Sequence, residues 1–67
     1  MWKIFFKYSD RSKLTLTGKG KEITPRLIRK YFNCYGIHCV SAIYQQYPKK
    51  NNDPKDFLKM AKEIMEE

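Results

Sequence analysis

Apolar and polar residues alternate from the start of the chain. Over residues 2–8, Trp2, Ile4, Phe6 and Tyr8 fall on one side of an extended backbone, and Lys3, Phe5 and Lys7 on the other. That two-residue period predicts a strand with one buried face. Ser9-Asp10-Arg11-Ser12 is a polar turn, after which Leu14 and Leu16 alternate with Lys13, Thr15 and Thr17. The two segments read as a β-hairpin with a loop of about four residues.

The period then changes. Gly18-Lys19-Gly20-Lys21 is a basic loop, followed by Thr24 as an N-cap and Pro25 at the first helical position. Ile23 and Ile28 stand at hydrophobic-staple spacing. Leu27, Ile28, Tyr31, Phe32 and Tyr35 share one helical face; Arg26, Arg29, Lys30 and Asn33 share the other, and Gly36 is the expected stop. Residues 39–47, rich in β-branched and aromatic side chains, predict a third strand ended by Pro48. Its register has two solutions. Either Val40, Ala42 and Tyr44 face the core, or Ser41, Ile43 and Gln45 do; the first buries less polarity and is the expected one. A second helix is predicted from Asp53 as cap and Pro54 as first residue, with Phe57, Leu58, Ala61, Ile64 and Met65 on its apolar face. Glu63, Glu66 and Glu67 crowd its C-terminal end, where the helix dipole disfavours negative charge and the last turn is expected to fray.

The order ββαβα predicts a single α+β domain over residues 1–67: a three-stranded antiparallel sheet in spatial order 2-1-3, with two helices packed on one face. The first strand is the most apolar and takes the centre. The competing arrangement is order 1-2-3, with strand three parallel to strand two. A chain of 67 residues buries only about 60% of its unfolded surface, so a cofactor-sized internal cavity would consume much of the core, and none is expected. Ten aromatic residues stretch that small core.

Charge sharpens the picture. Residues 1–50 carry eleven Lys and Arg against Asp10 and Glu22, a net +9, whereas residues 51–67 carry three Lys against five acids. A compact surface of that sign attracts polyanions before any specific contact forms. With both helices on one side, the other side of the sheet presents Lys3, Phe5, Lys7, Lys13, Thr15 and Thr17, joined by Ile43, Gln45 and Tyr47. Lysines beside aromatics on an open sheet suit single-stranded nucleic acid, bases stacking on rings and ammonium groups meeting phosphates; the same residue types are also ordinary solvent-face residues. The aromatic spacing does not match the RNA-recognition submotifs. Arg26, Arg29 and Lys30 on the first helix, with Lys19 and Lys21 in the loop before it, form a second basic candidate. That loop is not a P-loop, because it lacks the six-residue frame and the Ser or Thr after its lysine.

Other chemistry is poorly supported. Cys34, His38 and Cys39 lie within six residues, but three soft ligands do not complete a standard zinc site. Both cysteines are expected to be reduced, buried and structural, and no metal is expected. The only His stands in a loop, and apart from Asp10 and Glu22 every acid lies in the last fifteen residues. No spacing supports a triad or a carboxylate pair, so no catalytic residue and no enzymatic activity are expected. Lys7 interrupts the N-terminal apolar run too early for a signal peptide, and no stretch approaches the ~20 apolar residues of a membrane helix; a cytoplasmic protein without a membrane partner is expected.

Three segments carry a resemblance: Trp2-Lys3-Ile4-Phe5-Phe6-Lys7-Tyr8-Ser9-Asp10, Leu14-Thr15-Leu16-Thr17-Gly18-Lys19 and Tyr44-Gln45-Gln46-Tyr47-Pro48-Lys49-Lys50. Together they resemble small uncharacterised proteins encoded on bacterial conjugative elements, over most of the chain. The resemblance implies no activity and no site, only a DNA-related or regulatory setting. Two functions are therefore expected to compete. One is an accessory nucleic-acid-binding module acting through the basic sheet face and first helix. The other is a protein-interaction module, a homodimer through the edge of the third strand.

Overall fold

A computed structural model describes residues 1–66. The elements are β1 (Trp2–Tyr8), β2 (Lys13–Gly18), α1 (Pro25–Tyr31), a π-helical turn (Phe32–Gly36), β3 (Cys39–Gln46), a 3-10 turn (Lys49–Asn51), β4 (Lys55–Asp56) and α2 (Phe57–Met65). The sheet is antiparallel in the order β2-β1-β3-β4. β1 is central, as its apolar content predicts, and β3 lies beside it antiparallel, so the arrangement with strand three against strand two does not form. The sheet has four strands rather than three.

The alternation of β1 translates directly into burial. Trp2, Ile4 and Phe6 are buried, and Phe5 is only half-buried on the opposite face. Both helices close the first face. Phe57 of α2 meets Phe6 edge-on at 5.5 Å, and Tyr31 of α1 lies 6.3 Å from the indole of Trp2. Ile23, Ile28, Ala42, Tyr44 and Ala61 complete the core. The Thr24 hydroxyl accepts from the Leu27 amide at 3.3 Å, and both staple residues, Ile23 and Ile28, are buried as their spacing predicts. The buried Tyr44 hydroxyl accepts the Ile23 amide at 3.0 Å, tying the β2–α1 loop to the sheet. Burial pushes the Tyr44 phenol above its ordinary value. Gly18 is needed where the chain leaves β2: a Cβ there would stand 1.9 Å from Trp2 Cε2, so the indole closes over a bare backbone.

Three expectations are corrected. The second helix does not begin at Asp53 and Pro54. Asp56 caps it, its carboxylate accepting from the Leu58 and Lys59 amides at 3.0 and 3.4 Å, and Lys55–Asp56 first add a short strand to β3. Helix α2 then ends at Met65; Glu67 lies outside the described residues. Val40 does not face the core although Ala42 and Tyr44 do. Lys7 pairs with Ser41 but Tyr8 with Cys39, so Val40 is the extra residue of a bulge and is 64% exposed. The helical segment does stop at Gly36 as expected, though without a left-handed conformation, since no glycine has positive φ. Gly36 ends the π-helical turn, buried beneath Phe32, whose Cδ1 would stand 2.9 Å from a Cβ. Cys34 is exposed rather than buried, and Cys39 half-buried, its thiol donating to the Gly36 carbonyl at 3.1 Å. No helix is long and apolar enough to cross a membrane among the described residues.

Candidate nucleic-acid interface

Among the described residues, no helix packs on the face of the sheet opposite the core, and only the 47–52 segment folds against it, at Gln45. The order of this face follows from the register. Phe5 stands at the centre of β1, opposite Thr15 of β2 and Ile43 of β3; Lys7 stands opposite Lys13 and Ser41; Lys3 stands opposite Thr17 and Gln45. Ile43 is 40% exposed in this uncovered position. A shallow hollow beside the Phe5 ring is lined by Lys7, Lys13, Thr15 and Ile43. An aromatic residue, an aliphatic neighbour and two lysines thus border one depression.

The far end of this face is built differently. The chain after β3 turns through a cis Tyr47–Pro48 peptide bond. The Lys3 and Lys49 ammonium groups then lie 5.8 and 5.9 Å from the Tyr47 ring centroid, within cation–π range. Gln45 is not open to solvent as an open-face position implies. It is 6% exposed, its side-chain amide donating to the carbonyls of Gln46 and Asn52 at 2.9 and 2.6 Å. It is a brace for the 47–52 segment rather than a contact residue. Sequence spacing identified Tyr47 as a face residue; the pairing of its ring with two lysines depends on the path of the turn and had no sequence signal.

The nine expected contact residues do not form one surface. Lys3, Phe5, Lys7 and Lys13 come together on the open sheet face. Arg26, Arg29 and Lys30 are exposed on α1, which packs over the opposite face of a molecule whose shortest dimension is 18 Å. Arg29 also has a structural partner, its guanidinium donating to the Ile64 carbonyl at 3.4 Å near the C-terminal end of α2, where a cation complements the helix dipole. Lys19 and Lys21 lie in the exposed β2–α1 loop, whose course is fixed by Gln46 donating to the Lys21 carbonyl at 2.9 Å. Sequence reasoning found both basic groups. It could not show that they occupy opposite sides.

The soft ligands do not converge. Among the described residues, no three His, Cys, Asp or Glu side chains are placed to hold a metal ion. Burial raises the Cys39 thiol above its ordinary value, away from the thiolate needed for reactivity. The third strand is not a free edge along its whole length either: Asp56 and Lys55 of β4 cover Ile43 and Tyr44. β2 is the edge strand at the other side of the sheet.

Compared with family models, with curated proteins and with solved structures, the chain matches none.

Proposed function

We propose that the protein is a non-catalytic module that binds single-stranded nucleic acid on its open sheet face. The observation that carries this reading is the position of Phe5 at the centre of an uncovered sheet, beside Ile43 and between Lys3 and the Lys7–Lys13 pair. Like charges directly opposite across two strands cost stability, and a phosphate offsets that cost when it lies between them. Every base offers a π-face to the ring, and the surrounding groups include no constellation that reads base edges, so binding is indifferent to sequence. The resemblance to small proteins of conjugative elements leans the same way.

The test separates position from charge. Lys7→Glu with Lys13→Glu, and Arg26→Glu with Lys30→Glu, change the net charge equally on opposite sides. Anisotropy titrations with a labelled single strand are expected to show the first pair abolishing binding and the second weakening it only through the long-range field. Phe5→Ala is expected to cost about 1–3 kcal/mol on single strands. Equal losses from the two charge pairs, or full binding by Phe5→Ala, would remove the sheet face as the site.

A further inference from the structure

We propose that the tip of the β1–β2 hairpin holds a phosphate-monoester site that anchors the terminal phosphate of a bound strand, an inference that rests on the sheet-face reading. Beyond the Lys7–Lys13 pair, a second hollow is lined by Lys7, Ser9, Arg11, Lys13, Val40 and Ser41. It shares both lysines with the hollow beside Phe5. A base on the ring and a phosphate at the tip therefore lie on one continuous path.

Three features fit a monoester rather than an internal phosphodiester. The first is charge. Lys7, Arg11 and Lys13 bring three cations to the hollow. An internal phosphate carries one negative charge, a terminal one roughly 1.5 to 2. The second is how Arg11 is held. The Tyr8 carbonyl accepts the Arg11 amide and the Tyr8 amide donates to the Ser12 carbonyl, both at 3.0 Å, and Arg11 sits at φ 71°. This is a three-residue hairpin turn whose last residue is left-handed, a position that favours glycine. An arginine there accepts a backbone cost, and the hollow gives its side chain a use. The third is that the cations outnumber the nearby acid. Asp10 lines an adjoining hollow with His38 that shares Tyr8, Ser9 and Ser12 with this one, and its carboxylate accepts from the Ser12 amide and hydroxyl. Those bonds hold its pKa below the ordinary carboxylate range, so it keeps its charge, and the three cations still exceed it by two.

Val40, the extra residue of the bulge, also lines the hollow.

The experiment compares three ligands: short oligothymidylates ending in a phosphate at either end, the same strands ending in hydroxyls, and inorganic phosphate. The expected result is roughly tenfold tighter binding of one phosphorylated strand, the size of one added charge-assisted contact. Arg11→Gly is expected to abolish the preference while retaining the hydroxyl-ended strand. Inorganic phosphate is expected to shift the Ser9–Ser12 amide resonances of the wild type. Equal binding of phosphorylated and unphosphorylated strands overturns the site and leaves the sheet-face reading standing. Failure of every strand to bind, with the phosphate shifts still present, removes the sheet-face reading and supports the site. Absence of those shifts overturns the site.

Discussion

Arg11 is the residue whose backbone and side chain are most at odds. A left-handed conformation costs a non-glycine residue about 1–2 kcal/mol, and glycine loses back roughly 0.5–1 kcal/mol of that through its freer unfolded chain. Arg11→Gly is therefore expected to stabilise the fold by about 0.5–1 kcal/mol in urea unfolding. Arg11→Ala removes the same charge but keeps the backbone cost, so the difference between the two variants isolates the conformational part. If both variants stabilise equally, repulsion from Lys7 and Lys13 is the cause instead. Phe5 shows the opposite economy. It occupies a central strand position, half-buried outside the core cluster between Thr15 and Ile43, and the proposed site gives its ring a stacking partner.

At the scale of elements, the helix starts show how local chemistry competes. Asp53-Pro54 and Asp56 both offer a capping carboxylate, and Asp53 is followed by a proline suited to a first turn. The sheet decides between them. Pairing of Lys55 and Asp56 with Tyr44 and Ile43 keeps the backbone extended through Asp56, which leaves Asp56 as the first residue able to cap. Asp56→Ala is expected to cost about 0.5–2 kcal/mol, and Asp53→Ala close to nothing. A thermal melt of the two variants decides it, and equal losses would mean that the helix starts earlier in solution. The same competition explains what was legible in the sequence. The hairpin, the Thr24-Pro25 start, the order of the first three strands and the two faces of β1 follow from periodicity and capping, which are local. A two-residue strand has no period to read, so β4 is silent. The Val40 bulge is silent too: the apolar Val40 fits the core-facing pattern until the extra residue is counted. Gly36 carries the residue type of a helix stop for a different reason, the Phe32 ring above it.

At the scale of the whole molecule, the charge that serves binding works against folding. A net +7 on 67 residues repels itself in the compact state, and salt screens that repulsion. The free protein is therefore expected to melt at higher temperature as salt rises. Binding runs the other way. Each phosphate neutralised on a single strand contributes about 0.7 to the log–log salt slope, so contacts by Lys3, Lys7 and Lys13 predict a slope of about −2 for an unphosphorylated strand. A strand at about a hundred times its dissociation constant adds about 2.7 kcal/mol to the stability of the complex. In a domain this small that is a rise of roughly 10–20 °C at low salt. The melting curves of free and bound protein should therefore converge as salt increases, the first rising and the second falling. Thermal melts at several salt concentrations, with and without an unphosphorylated oligothymidylate, check both slopes in one series. A free-protein melt that falls with salt would show that surface repulsion is not what limits stability. A ligand-induced rise that salt leaves unchanged would show that the strand is held by something other than its phosphates, and the lysines of the open face would then need another purpose.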